Sequence, residues 1–157
     1  MSPSTNPDVA AFWSRFIYAH PSAANTPFPK AEQFGSGVEM GDELCALIVE
    51  GKKTATCSCL WEWQAEGEDI PRVGELSILL DGHNNPRAVI EVTEVTVRPY
   101  GEVDAAFAFE EGEDDRTLES WRRIHWQWFS NGLPAIGRAP SMEMPLVCKR
   151  FRVRYAE

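Results

Sequence analysis

Histidine is scarce in this chain: three in 157 residues, at positions 20, 83 and 125. Cysteine is hardly more frequent. Of Cys45, Cys57, Cys59 and Cys148, only Cys57 and Cys59 lie close together, as C-x-C. A structural zinc site asks for C-x-x-C pairs or clustered histidines, so this distribution argues against one. The four thiols read instead as buried apolar side chains of a reducing compartment. Positive charge is also short: 15 Lys and Arg face 24 Asp and Glu, a net charge of -9. Duplex nucleic acid is held through many Lys and Arg phosphate contacts, so duplex DNA is not an expected partner. A small or single-stranded ligand on a local basic patch stays compatible with that balance. No apolar run approaches the roughly 20 residues that cross a bilayer. The opening MSPSTNPDVAAF lacks the basic start and apolar centre of a signal peptide. A cytoplasmic protein with no membrane partner is the expectation.

What is present is enough for a core: 43% hydrophobic residues and six tryptophans. The length fits one domain. We read 1–7 as a frayed tail and 8–157 as a single domain, opened by a helix over 8–19. There Val9, Phe12, Phe16 and Ile17 recur at helical intervals behind Pro7. HPSAANTPFPK reads as loop. A second helix is expected over 42–50, with Asp42 as N-cap and Gly51 just past its end. Thr54–Cys59 then alternates like a strand, with β-branched threonines at its start. ELSILLD, the turn GHNNP and RAVIEVTEVTVRPY read as a hairpin. VDAAFAFEEGEDD gives a short helix running into an acidic loop. TLESWRRIHWQWFSNGL is the clearest helix, with Thr117 as cap and Leu118, Trp121, His125, Trp128 and Phe129 along one face. In the closing strand LVCKRFRVRY, Phe151, Val153 and Tyr155 alternate with Arg150, Arg152 and Arg154. Several short strands with few crossover helices indicate an α+β fold, a small mixed β-barrel with flanking helices, and not a doubly wound sheet.

Three clusters could carry chemistry. The first is Lys52-Lys53-Thr54-x-Thr56 after Gly51. A lysine acting as base must be neutral part of the time, so its pKa has to fall from about 10.4. Burial and the neighbouring Lys52 both push it that way. A threonine hydroxyl needs such a base within hydrogen-bond reach before it attacks. If the strand alternates from its first residue, Lys52, Thr54 and Thr56 share a face opposite Lys53 and Ala55. The second cluster is acidic: Glu110, Glu111, Glu113, Asp114 and Asp115. It serves either as a solvated loop ahead of a helix N-terminus or as a source of one carboxylate aimed at Lys53. Its oxygens suit magnesium, but the spacing specifies no metal site. The third is Arg122 with His125, three apart on a helix and flanked by Trp121 and Trp128. Arginine and aromatic planes are what an unstacked base rests on, although tryptophans at helical spacing also serve as core. Trp61 and Trp63 carry the same two readings.

Taken together, Gly51-Lys52-Lys53-Thr54-Ala55-Thr56, Pro71-x-Val73-Gly74-Glu75, Glu111-Gly112, Trp121-Arg122-x-x-His125 and Cys148-x-x-Phe151 resemble the ASCH family. The resemblance covers the chain from about residue 36 onward and implies a PUA-like β-barrel edged by helices. It also implies a partner that is a modified nucleoside or a short single-stranded RNA. One branch of that family removes the acyl group of N4-acetylcytidine with a lysine, a threonine and a glutamate, and no cofactor or metal. On this chain those positions are Lys53, Thr56 and Glu111, with Glu113 competing for the last. The resemblance therefore implies that Thr56 attacks the exocyclic amide, Lys53 takes its proton, and Glu111 orients Lys53 or protonates the leaving amine. Lys52, Thr54, Trp61, Glu113, Arg122 and His125 are the expected substrate-binding set. Two other expectations share the lysine: a ribonuclease for single-stranded RNA that also uses the arginine strand, and a nucleotide- or RNA-binding module without turnover.

Overall fold

Apolar residues at helical intervals build the first element: α1, Pro7–Ala19, buries Val9, Phe12, Trp13 and Phe16. Proline is well placed at its start, because the missing N–H would have no helical partner there. The computed structural model describes residues 7–157, so the tail expected at 1–7 lies outside the described residues except for Pro7. Beyond α1 the order is β1 (Lys30–Gln33), α2 (Val38–Val49), β2 (Ala55–Cys59), α3 (Leu60–Glu66), β3 (Leu76–Leu80), β4 (Pro86–Pro99), α4 (Ala105–Glu111), α5 (Leu118–Gly132) and β5 (Pro145–Ala156). The strands hydrogen-bond in the order β1-β3-β4-β5-β2. β1 and β3 are parallel, whereas β3 with β4 and β2 with β5 are antiparallel. The sheet is therefore mixed and the fold α+β. No helix among the described residues is long and apolar enough to cross a membrane.

The described residues form two compact units. The first takes residues up to Gly51, Gly74–Glu91 and Arg152–Glu157. In its core the buried face of α1 meets Ile78, Leu80 and Val89. Burying each such side chain stabilises the unit by about 1.5–3 kcal/mol. The β3–β4 turn forms because the Asp81 carboxylate accepts N–H bonds from His83 (2.9 Å) and Asn85 (3.0 Å), while Asn84 adopts φ 63, a region asparagine tolerates. The helix expected from Asp42 starts earlier, behind Gly37. Asp42 is no N-cap; its carboxylate accepts the Gly82 N–H at 2.8 Å. Gly51 does end α2, with φ 84.

The second unit, Lys52–Val73 and Val92–Phe151, carries the chemistry-bearing clusters. Its core joins Ala55, Cys59, Tyr100, Phe107, Trp121, Phe129, Met144 and Leu146. Asp104 caps α4 by accepting the Phe107 N–H at 2.9 Å, and Thr117 caps α5 by accepting the Ser120 N–H at 3.2 Å. The buried face of α5 comprises Ser120, Trp121, His125 and Phe129; Trp128, expected on that face, is exposed. Losing the cap should matter modestly. Thr117→Ala is expected to lower unfolding free energy by about 1 kcal/mol, and Thr117→Ser by much less, in urea melts.

Candidate active site

Strand alternation sends Ala55 and Cys57 to one side of β2 and Thr54 and Thr56 to the other. Lys53, just ahead of the strand, follows the Ala55 side and is buried, while both threonines are half-buried. α4 reaches the same place. Its last turn is fastened to the strand by the Thr54 N–H, which donates to the Glu110 carbonyl at 2.8 Å. Gly112, with φ 72, then reverses the chain against Lys52 and Lys53.

The result is a lysine held between two carboxylates. Lys53 Nζ lies 3.0 Å from Glu111 Oε1 and 2.9 Å from Glu113 Oε2. It also donates to the carbonyls of Ala55 at 2.9 Å and Glu111 at 3.3 Å. Lys53 and Glu111 are each 1% exposed, whereas the Glu113 side chain is 18% exposed and gives the cluster its edge toward solvent. The other oxygen of Glu111 accepts the Trp121 indole N–H at 2.7 Å and faces His125 Nε2 at 3.3 Å. His125 Nδ1 lies 2.9 Å from the Trp121 carbonyl, and the two rings stack at 4.3 Å. Both imidazole nitrogens therefore face acceptors, an arrangement that favours the imidazolium form of His125.

These partners set the protonation states. Burial pushes the Lys53 ammonium toward losing its proton, but Glu111 and Glu113 outweigh it and hold the pKa above its ordinary value. The expectation of an amine neutral near pH 7 thus gives way to a resting ammonium, because the sequence could not show two carboxylates closing on it. Burial alone would raise Glu111; Lys53, His125 and the Trp121 N–H together hold it well below the usual carboxylate range. Burial likewise disfavours the His125 cation, and Glu111 reverses that and raises it. Burial and then Glu111 push the Cys57 thiol well above its ordinary value, and burial pushes Cys148 up to about 12.

A pH dependence follows with two limbs. Glu111 is depressed in the folded state, so its stabilisation is present above its unfolded pKa of about 4.3 and lost as pH falls. His125 is raised, so its stabilisation is complete below about 6.5 and lost as pH rises through its folded value. Urea melts across pH should show both limbs. Glu111→Gln is expected to flatten the acid limb, and His125→Gln to remove the decline on the alkaline side of pH 6.5.

Sequence reading did not anticipate Cys57 as a neighbour of Glu111. Ligand atoms of Cys57, Glu111 and His125 lie within 4.8 Å of one another. Within the cluster these groups are joined by hydrogen bonds and ion pairs: His125 Nδ1 lies at the Trp121 carbonyl and Nε2 at Glu111 Oε2, while the Lys53 ammonium takes Glu111 Oε1. The signal was available in one form: Lys53, Ala55 and Cys57 share a period of two.

Of the expected residues, Lys53, Glu111, Glu113 and His125 converge. Thr56 makes no hydrogen bond to Lys53, whose four contacts are all accounted for above. Thr54 Oγ1 donates to the Glu110 carbonyl at 3.4 Å. Lys52 is exposed, and its carbonyl accepts from Arg116 at 3.2 Å. Trp61 packs on the core beneath the Arg138 guanidinium, 4.5 Å from its ring. Arg122 turns to the Gly101 carbonyl at 3.2 Å. The arginines of β5 are engaged as well. Arg150 pairs with Glu110 at 2.6 Å and with Glu94; in the other unit, Arg152 and Arg154 pair with Glu91.

Comparison with known proteins agrees with this architecture. No curated protein matches. The crystal structure of a protein from Enterococcus faecalis V583, of the DUF984 family, has a TM-score of 0.86 at 36% identity, covering 93% of this chain and 87% of that one. That of an ASCH domain from Lactobacillus crispatus JV V101 has a TM-score of 0.88 at 27% identity, covering 94% of each. The ASCH domain family model matches residues 30–155, which span every residue of the cluster. With the mixed sheet and flanking helices of the PUA-like fold, the chain belongs to the ASCH domain family.

Proposed function

We propose that this ASCH domain hydrolyses the exocyclic amide of an N4-acylated cytidine at the Lys53 cluster. The observation that carries the reading is a charged donor and a partly exposed carboxylate 2.9 Å apart, Lys53 Nζ and Glu113 Oε2. Amide hydrolysis needs both: a base for the attacking oxygen and an acid for the departing amine. Glu113 takes a proton from water as its oxygen bonds to the acyl carbon. Lys53 gives its proton to N4 as the C–N bond breaks. The proton on Glu113 then passes to Lys53, restoring the resting pair and leaving a carboxylic acid and cytidine. Glu111, held by Trp121 and His125, positions Lys53 from behind. In this scheme water replaces Thr56 as the nucleophile, because a resting ammonium is no base for a threonine hydroxyl. The four free cysteines suit a cytoplasmic setting.

The test is turnover of N4-acetylcytidine by wild type, Glu113→Gln and Thr56→Val. Glu113→Gln is expected to lower kcat by about 10²–10⁴-fold with an unchanged circular dichroism spectrum. Thr56→Val should stay within severalfold of wild type. A loss for Thr56→Val matching that of Glu113→Gln would return the nucleophile to Thr56. An unaffected Glu113→Gln would remove the acid–base assignment.

A second reading rests on burial. With Lys53 and Glu111 both 1% exposed, the network would serve equally as the rigid core of a nucleotide-binding module. Wild type releasing no product from acylated cytidines or short RNAs would decide for it. The ribonuclease reading loses ground, because carboxylates already occupy the β5 arginines it would use for phosphate.

A further inference from the structure

The outer face of α5 carries a second concave surface. Arg122, Trp126 and Ser130 form one row at four-residue spacing, and Arg123, Gln127 and Asn131 form the next. With Tyr100 they line a groove of about 570 Å³, a size within the usual range for small-ligand sites. The lining holds two guanidinium groups, an indole and two primary amides, and no carboxylate, in a chain with 24 Asp and Glu. Much of its hydrogen-bonding capacity is unused. Arg122 commits one N–H, to Gly101. Arg123 has a 3.9 Å contact with Asp114 and is 68% exposed. Trp126 stands edge-on to Tyr100 at 5.4 Å and is 38% exposed.

We propose that this groove binds a nucleoside phosphate. The base stacks on Trp126, the phosphate meets Arg122 and Arg123, and Gln127 and Asn131 bond the base or sugar edges. Cations alone would hold any small anion, and an indole alone any flat ring. Only a ligand carrying both a charge and a π face uses the two together, and here Arg122 and Arg123 stand four and three residues before Trp126, about one helical turn along the same face. The groove includes neither Lys53 nor its carboxylates, so the proposal stands independently of the hydrolase reading. The phosphate can come from a free mononucleotide or from single-stranded RNA, and chain length separates the two sources.

Calorimetric titration with uridine 5′-monophosphate, uridine, inorganic phosphate and a short oligouridylate tests this. The monophosphate is expected to bind roughly tenfold or more tightly than uridine or phosphate. Its affinity should fall between about 50 mM and about 200 mM salt. Trp126→Leu and the pair Arg122→Gln with Arg123→Gln should each weaken it roughly tenfold, and Trp126→Phe should retain it. Oligouridylate binding more tightly than the monophosphate assigns the site to RNA; weaker binding assigns it to the free nucleotide. Glu113→Gln should leave monophosphate binding unchanged, so a failed hydrolase assay does not touch this result. Equal affinity for uridine and its monophosphate, or an unaltered Trp126→Leu, overturns the proposal.

Discussion

Lys53→Met is expected to lower unfolding free energy by about 3–5 kcal/mol, measured by urea denaturation at neutral pH. Methionine fills much of the volume, so the loss is electrostatic. Removing the ammonium leaves Glu111 Oε1 without its cation, because Trp121 and His125 both serve the other oxygen. At 1% exposure water cannot replace the missing partner, and a buried carboxylate without compensation is among the costliest single defects. Glu111 should answer by titrating upward, so the acid limb of stability shrinks in the variant. It reverses, with stability rising as pH falls, once the folded value passes the unfolded one of about 4.3. The double variant Lys53→Met with Glu111→Leu makes the argument specific. Removing both charges leaves Glu113 able to reach solvent and His125 able to lose its proton, and more than half the lost stability should return. A single-variant loss below about 1 kcal/mol would mean that Lys53 behaves as a solvated surface lysine. Because Lys53 variants mix stability with chemistry, Glu113→Gln is the cleaner probe of turnover.

Local signals in the sequence reached the elements they specify. The Thr117 cap and the Trp121, His125 and Phe129 spacing define α5, and two short apolar runs, ELSILLD and RAVIEV, around an Asp-to-Asn turn define the β3–β4 hairpin. Signals failed where a distant contact decides. Asp42 has the chemistry of an N-cap, yet the Gly82 N–H claims its carboxylate, and α2 starts behind Gly37 instead. β1 is four residues, KAEQ, whose strand character comes from parallel pairing with β3. α3 follows β2 without an intervening turn residue, so no punctuation marks the change of period at Leu60.

The candidate site divides the same way. Lys53, Glu111, Glu113 and His125 were legible as residue types, and the ASCH resemblance ordered them. Their electrostatics were not legible. Lys53 and Glu111 are 58 positions apart, and only their folded proximity turns a lysine expected to be neutral into a resting ammonium. The arginines of the closing strand show the converse. Alternation correctly places Arg150, Arg152 and Arg154 at every second residue, but their apparent basic row is answered by Glu110, Glu94 and Glu91 from elsewhere in the chain. Charge periodicity along one strand reports a face; the neighbouring elements decide whether that face is free.

Gly112 is where the site can be broken without touching a charged residue. Its φ of 72 lies in the left-handed region, which costs an L residue about 1–2 kcal/mol. An added Cβ would also sit 2.5 Å from the Lys52 carbonyl oxygen and 3.0 Å from Lys53 Cα. Those are backbone atoms, so relief requires α4 to move off residues 52–54, at a further cost of about 1–3 kcal/mol. Gly112→Ala is therefore expected to destabilise by about 2–5 kcal/mol in total. Gly137 supplies the control: its φ is 71, but nothing lies within 4 Å of the added Cβ. Gly137→Ala should show the conformational cost alone, about 1–2 kcal/mol. The difference between the two measures how tightly α4 is pressed onto the lysine segment. The same shift would part Lys53 from Glu111 and Glu113, which flank Gly112 on either side, so the hydrolysis proposed for this site should fall well below wild type in the Gly112→Ala protein that remains folded. Equal costs at both glycines would show that α4 is not fastened there, and that the Lys53–Glu113 distance is set by something other than this close approach.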